Sequence, residues 1–466
     1  MLKLKYLFAN FDLAKEVLNH WTHDGDTLDK MLSYFRISSN AVYPFCQSGK
    51  VCFLRLSPVD EKIEKNIFGE LEFIQYLIRK GYPALEPIPA ITGEQCLKLN
   101  TEWGGYYASA YQSVSGIQIE DTDFSDEVMY RYGKTLGKLH ALSSHYVPKI
   151  RKWTHHEALE WIEAVLSEYH APAITFSELS FIKTELAALP IRKDNYGLVH
   201  YDFEPDNVFY DAKSKTCAVI DFDDSMYHWY ALDLEQVFDC LDDALDNAKS
   251  KAAKEAFING YQTEYRYSEE TEKTLPIMRR FIDLFSYARL IRSVAESFPN
   301  EPDWLIGLRK KLNAVLKKLE AKMLKSECSV FAKNAIDWAM AHSGSTAYCF
   351  RCLGFIEDAL ERSNCIEIFG GDSAKESADM YEAYKNTDVP PAGAFVFYDC
   401  SGDINGTNRN WGHVGLSLGN GKVIHAWDKV RTDHYLDMEN MISAPGWSHP
   451  RFIGWVPVER MLVGFK

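Results

Sequence analysis

"GLVHYDFEPDNVFYD", residues 197–211, and "AVIDFDDSMYHWYALD", residues 218–233, decide how this chain is read. In the first, a short apolar run ends in His200, Asp202 follows two residues on, and Asn207 lies five beyond that. In the second, another apolar run ends in Asp221. Strand ends that present acid and amide side chains together suit phosphoryl transfer. That chemistry needs one carboxylate to orient and deprotonate a hydroxyl, and further oxygens to hold magnesium against phosphates. A sheet fixes such ends rigidly and leaves them open to a cleft. Alone, either stretch reads as a turn with a capping Asp; in sequence, with two acidic strand ends close together, they read as one site.

Whole-chain quantities bound the rest. At 466 residues the chain exceeds one ordinary core, so two or three domains are expected. Its composition, 46% hydrophobic and 25% charged, is that of a globular protein. A formal charge of -15 without clustered Lys and Arg argues against a nucleic-acid partner. Charges interrupt the apolar positions of the N-terminal "MLKLKYLFANFDLAKEVLNHW", and no window approaches a membrane span, so no membrane association and a cytoplasmic location are expected. Ten irregularly spaced cysteines suit free thiols. Cys349 and Cys352 form a C-x-x-C, but no second pair completes a zinc site, and free thiols are the better reading.

Along the chain, "YFRISSNAVYPF" and "KVCFLRLS" read as two strands joined by a turn near "CQSGK". Ile67, Leu71, Ile74 and Leu77 then fall on one helical face that Gly81 stops. Another strand pair and a hinge-like "YYASAYQSVSG" follow, and helical patterns dominate residues 125–190 and 231–326. "DWLIGLRKKLNAVLKKLEAKMLK" has apolar positions three and four apart, as a connecting helix would. After residue 327, Gly, Asn and aromatic residues rise and strand-like runs appear, which places a domain boundary there.

His200, Asp202 and Asn207 carry the H-x-D-x-x-x-x-N spacing of kinase-type catalytic loops, and Asp221 stands where the metal-binding Asp of a D-F-G element would. Through "LVHYDFEPDN", "VIDFDDS" and "WYALDLE", residues 1–322 resemble the small-molecule kinases of the aminoglycoside phosphotransferase, choline kinase and homoserine kinase group. The resemblance implies Asp202 as catalytic base, Asn207 and Asp221 as Mg2+ ligands, and ATP or GTP as donor. Tyr201 replaces the Arg of protein-kinase H-R-D, which implies the small-molecule branch. A basic residue on the third strand should face the phosphates and pair with a helix carboxylate. Arg55 and Glu70 are the candidates, with Glu72 a competing partner and plain surface charge the alternative. No G-x-G-x-x-G is present; Ser38, Ser39 and Asn40 occupy that position. The acids and aromatics around Trp229, Tyr230 and Asp233 could hold an amine-bearing acceptor. The plainer reading, core aromatics and a solvated acidic helix face, is favoured.

The C-terminal part carries a different chemistry. A cysteine hydrolase needs a thiolate, an imidazole to take its proton, and a polar group to fix the tautomer. Cys352 precedes an amphipathic helix pattern, and a helix N-terminus lowers a thiol pKa; Cys349 is the alternative nucleophile. A three-residue turn at Gly419, Asn420 and Gly421 would pair 415 with 425 and put His413 and His425 on one sheet face; a two-residue turn would put them on opposite faces. The order Cys, "GHVGLSLGNG", "IHA" over residues 330–466 resembles the NlpC-type, papain-like cysteine peptidases and amidases that act on bacterial cell-wall peptides. The resemblance implies Cys352 as nucleophile, His413 as base and His425 as orienting group. The usual D-C-S-G is here Arg351-Cys352-Leu353-Gly354, a departure that bears on the substrate.

The expectation is therefore an α+β chain. Residues 1–113 would form a kinase-like N-lobe of antiparallel sheet plus helix, residues 114–326 a largely helical C-lobe, and residues 327–466 a papain-like hydrolase. Its partners would be a small hydroxylated acceptor and a small peptide or amide. The alternative is a nucleotide-binding regulatory domain that gates the hydrolase.

Overall fold

The computed structural model describes residues 1–462. The chain forms two compact units, Met1–Leu319 and a second beginning at Glu320. The division falls inside the helix Asp303–Ala341, which continues well past residue 327.

The first unit opens with an antiparallel sheet. The strands Arg36–Ile37, Ala41–Gln47, Lys50–Pro58, Gly104–Gln112 and Pro87–Ile88 lie side by side in that order, and Leu97–Thr101 also pairs with Gly104–Gln112. Two-residue alternation gives the third strand two distinct faces. Cys52, Leu54 and Leu56 join a core with Leu13, Val17 and Trp21 from the N-terminal helix Phe11–Leu18. Arg55, between them in sequence, points to the opposite face. There lies the helix Glu64–Arg79, whose Ile67, Leu71, Ile74 and Leu77 are all buried, each worth about 1.5–3 kcal/mol.

The remainder of this unit is helical apart from small ribbons that position the loops quoted above. Tyr196–Val199 pairs antiparallel with Met226–Trp229, and Val208–Asp211 pairs with Thr216–Val219. One hairpin is thus nested inside the other, so the loops at 200–207 and 220–225 emerge at the same end. The Ile220 N–H donates to the Asn207 carbonyl (3.0 Å) and joins them directly. Helix Asp126–Ser143 backs this assembly and packs against Asn247–Tyr261. Their contact is made by glycine: a Cβ at Gly133 would lie 1.9 Å from the Phe257 carbonyl oxygen, and one at Gly260 1.9 Å from that of Tyr130.

The second unit is built on a five-stranded antiparallel sheet in the order Val430–His434, Lys422–Ala426, His413–Gly419, Phe395–Asp399, Arg451–Val456. Val414, Leu416, Ile424 and Ala426 share a core with Phe355, Ile356 and Leu360 of the helix Cys352–Asn364, and with Cys328, Ala332 and Ala335 of the long helix. Among the described residues no helix is long and apolar enough to cross a membrane, and all ten cysteines are free.

Gly133→Ala and Gly260→Ala are each expected to lower the urea midpoint by the equivalent of about 1–3 kcal/mol, because backbone cannot retreat as a side chain can. Gly307→Ala, on an exposed stretch of helix with nothing within 4 Å of the added methyl, should raise it by about 0.5–1 kcal/mol.

Candidate active sites

A buried carboxylate shapes the loop at 200–207. Asp233 is fully buried, and its Oδ2 accepts from the His200 N–H (2.9 Å) while Oδ1 accepts from the Tyr201 N–H (2.7 Å). Oδ2 also receives Nε2–H of His140 (3.0 Å), whose Nδ1 in turn accepts from the Tyr261 hydroxyl (2.8 Å). Tyr201 is held at φ 66° and Asp221 at φ 59°, left-handed conformations that a side-chain-bearing residue keeps only when its surroundings enforce them. His200 makes the next tie. Its Nδ1 accepts from the Asp202 N–H (3.2 Å) and its Nε2–H donates to the Ile220 carbonyl (3.0 Å), which fixes one neutral tautomer. Burial lowers its pKa to about 4, in keeping with that tautomer.

These ties bring Asp202, Asn207 and Asp221 to the wall of one cavity of about 370 Å³, which Arg55 also lines. Asn207 Nδ2 donates to the Asp202 carbonyl (3.0 Å) and to Asp202 Oδ2 (2.9 Å). Burial, then Glu204, Asp224 and Asp221, push the Asp202 carboxyl well above the usual range. Burial, then Asp223, raise Asp221 to about 6. Acids crowded around a cavity at this cost suit a hard divalent cation, which takes carboxylate and amide oxygens and would relieve the repulsion. Among the described residues no group of three or more His, Cys, Asp or Glu is placed to hold a metal. A cation there would draw on Asn207 and on oxygens of a bound phosphate besides the carboxylates.

Arg55 and Glu70 form a buried two-pronged pair, Nη1 to Oε1 at 2.8 Å and Nη2 to Oε2 at 2.7 Å. Glu72 is engaged elsewhere, accepting from the N–H groups of Lys149 (2.7 Å) and Ile150 (2.9 Å). The Ser38–Asn40 loop is tied down rather than free. Ser57 donates to Asn40 Oδ1 (2.7 Å), Asn40 Nδ2 to Asp223 (3.1 Å), and Arg289 to the Ser39 hydroxyl (3.1 Å). On its far side a second cavity, about 220 Å³, is lined by Trp153, Trp161 and Phe285 together with Asp223, Asp224 and Arg289. Lys62 and Asn40 bond Asp223, and Arg289 pairs with Asp224 (2.7 Å). Trp229 and Tyr230 are core residues, 2% and 3% exposed. Asp233 departs from the solvated-face reading, being the buried anchor of the loop.

In the second unit Cys352 opens its helix after the N-cap Arg351, which follows Phe350 at φ 59°. The hairpin carrying the histidines turns on two residues, Asn420 and Gly421, instead of three, yet a bulge at Leu418 restores the register. Leu416 faces Ile424, so 415 stands opposite 425 and both imidazoles share a face. His413 Nε2 and His425 Nδ1 are 2.9 Å apart, and His425 Nε2 is 3.1 Å from Asp433 Oδ2. The ionised Asp433 can only accept, so His425 carries its proton on Nε2 and leaves Nδ1 bare. His413 must then donate from Nε2, which leaves its own Nδ1 free to take a proton. Arg431 holds Asp433 from the other side through Nε (2.6 Å) and Nη2 (2.8 Å).

Cys352 and His413 line one cleft of about 870 Å³. Cys349 is tied by its sulfur to the Asp428 carbonyl (2.6 Å) and is not part of the cleft wall. Burial raises the Cys352 thiol, although the Val414 N–H favours the thiolate, so desolvation outweighs the helix N-terminus. Burial, then His425, hold His413 well below the usual histidine range. At rest the cleft therefore holds a thiol and a neutral imidazole.

Residues 38–271, half of the chain, match the Phosphotransferase enzyme family, and residues 338–449 match the NlpC/P60 family. The amicoumacin kinase of Bacillus subtilis (strain 168) is 25% identical over 203 residues, 42% of this chain and 59% of that protein. A homoserine kinase of Caulobacter vibrioides (strain NA1000 / CB15N) is 25% identical over 224 residues, 45% of this chain and 65% of that one. The chain thus spans less than two thirds of the length of these curated relatives. An amicoumacin kinase solved in complex with AMP-PNP, Ca2+ and Ami superposes with a TM-score of 0.56 at 19% identity, covering 68% of this chain and 95% of that one. A microcompartment-associated aminopropanol kinase does so at 0.50 and 18%, covering 68% and 98%. At these identities the likeness is one of fold: bilobal and kinase-like, followed by the papain-like α+β fold of the NlpC/P60 match. With half its length matched by one family, this chain belongs to the phosphotransferase enzyme family.

Proposed function

We propose that the chain is a bifunctional enzyme. Its first unit transfers a phosphoryl group from ATP or GTP to a hydroxyl of a small molecule, and its second cleaves or transfers an amide through Cys352. The observation that carries the first half is the convergence of Asp202, Asn207 and Asp221 on one cavity with Arg55. A magnesium-bound nucleotide would supply the phosphoryl group and the charge neutralisation. Asn207 and Asp221 would hold the metal, and Arg55, fixed by Glu70, the phosphates. Asp202 takes the proton of the attacking hydroxyl, steadied by the bond from Asn207. AMP-PNP and Ca2+ in the amicoumacin kinase structure support this use of nucleotide and divalent metal.

The acceptor hydroxyl would have to reach Asp202, which lines the first cavity and not the second. In the second cavity Trp153, Trp161 and Phe285 offer aromatic faces to an amine-bearing part of that compound, while Asp223 and Asp224 are already paired with Lys62 and Arg289. The amicoumacin and aminopropanol kinases lend support by their named substrates. In the second unit, Nδ1 of His413 removes the Cys352 proton as sulfur attacks the amide carbon. The C–N bond breaks, and the imidazolium returns that proton to the leaving nitrogen. Water then attacks the thioester with His413 again as base, giving a carboxylic acid and restoring the thiol. A cytoplasmic setting, with nucleotide at hand and thiols kept reduced, suits both sites, and makes a small peptide or amide the target instead of intact wall.

Asp202→Asn should lower phosphoryl transfer about 10²–10⁴-fold, measured with labelled ATP against a panel of amino alcohols, aminoglycosides and sugars. Cys352-dependent amide cleavage should be unchanged in that variant; a wild-type rate of transfer would remove Asp202 from the role of base. The pH profile of amide cleavage should be flat across neutrality. Burial lowers His413 from 6.5 and raises Cys352 from 9.0, so the acid limb lies below the first value and the alkaline limb above the second. A limb near pH 7–8 would contradict this assignment. Asp433→Asn, which frees His425 to adopt the other tautomer, should lower kcat about 10–100-fold, the range seen when a partner that orients an imidazole from behind is lost.

A further inference from the structure

Three indole rings, of Trp411, Trp427 and Trp447, line the Cys352 cleft, and the first two have their polar edges engaged. Trp411 Nε1 donates to the Gly402 carbonyl (3.1 Å) and Trp427 Nε1 to the Ile442 carbonyl (3.3 Å). Arg409, held by Glu376 (2.9 Å), lies 3.9 Å over the Trp411 ring. Trp447 rests on the Cα of Gly402, where an added methyl would come within 2.1 Å of its ring. Trp427 also packs edge-on against His413, ring centres 5.1 Å apart. These rings are fixed before any substrate arrives, and all three line the cleft.

At its mouth Phe350 and Ile442 are 80% and 89% exposed, uncovered apolar side chains beside the nucleophile. Ser373, Asn405 and Ser443 are the neutral polar side chains that share this lining with the three indoles. The charged groups in the wall are four carboxylates, Glu357, Asp372, Asp403 and Asp428, against the single guanidinium of Arg351. Burial, then Glu361 and Asp358 on the same helix, raise Glu357 to about 7. An acidic peptide would meet like charge there.

The geometry points to an amide substrate with a bulky aromatic or apolar group, neutral or cationic overall, whose ring lies against Trp411, Trp427 and Trp447 while Cys352 attacks the carbonyl. The inference rests on Cys352 as nucleophile, and adds the class of compound that it meets. The reaction is the hydrolysis balanced above: the C–N bond of the amide breaks, water supplies the oxygen of the acid, and the amine leaves with a proton.

Binding and turnover separate the two claims. In the full-length Cys352→Ala protein, calorimetry should show N-benzoyl and N-naphthoyl amides of a small amino alcohol binding at least about 100-fold more tightly than a γ-glutamyl dipeptide, an apolar ring being worth more than a single methylene. Adding Trp447→Ala, or Gly402→Ala to displace that ring, should weaken the aromatic amides at least about tenfold and leave the dipeptide unchanged. Equal or tighter binding of the dipeptide, or equal loss for both, overturns the inference. The wild-type protein reports on the nucleophile: aromatic amides cleaved only when Cys352 is present support both claims. Tight aromatic binding with no cleavage of any amide sinks the nucleophile assignment and leaves the recognition of aromatic compounds standing.

Discussion

The phosphotransferase unit depends on a buried carboxylate with no hydroxyl or phosphate to act on. Asp233 accepts from two successive backbone N–H groups and from His140, and so fixes the start of the loop that carries Asp202. The arrangement has a clear physical logic. A carboxylate in a dry interior is tolerated only if its oxygens are fully hydrogen-bonded, and those same bonds leave the loop no other conformation of comparable energy. Tyr201 can then be kept at a positive φ, and His200, gripped by Asp233 through its own N–H, passes the constraint on to Ile220 and the neighbouring loop. Rigidity made by helix and ribbon packing is thereby delivered to side chains that themselves stand in an open cavity.

The hydrolase unit solves a related problem with protons instead of backbone. Three hydrogen-bonding groups in a row, His413, His425 and Asp433, have one consistent assignment of donors and acceptors, and it leaves the correct nitrogen of His413 bare. The carboxylate lies far along the relay, where its charge sets the tautomers without entering the cleft. Burial opposes charge on both members of the reacting pair, so the ion pair would form only as substrate arrives.

Much of this was legible in the sequence because it is local. Asp202 and Asn207 are five residues apart on one loop, and Asp221 ends the next strand, so spacing alone foreshadows their meeting. Arg55 facing Glu70 follows from strand alternation and a helical face, and the structure chooses Glu70 over Glu72 because Glu72 caps the chain near Lys149. What spacing could not reveal depends on distant segments. Asp233 looked like one acid among many on a helix, and only the returning loop gives it partners. Phe285 and Arg289, one turn apart on the helix Glu269–Val294, meet Trp153 at the second cavity from a distant part of the chain. Asp433 lies on a third strand whose place beside the hairpin no local pattern announces. The thiol ran against expectation for a similar reason: a helix N-terminus can be read from sequence, whereas the depth of burial that outweighs it cannot.

The bulge at Leu418 carries a lesson about how this domain can vary over evolutionary time. Because strand faces alternate residue by residue, the loop between His413 and His425 has a parity. Losing or gaining one residue there would carry the two histidines to opposite sides of the sheet and turn core side chains toward water. Losing or gaining two would preserve the faces and shift only the register along the strand. Descendants of this chain should therefore drift freely in the identity of the residues between those histidines while their number stays even or odd with its ancestor's, a conservation of count with no conserved letter to mark it.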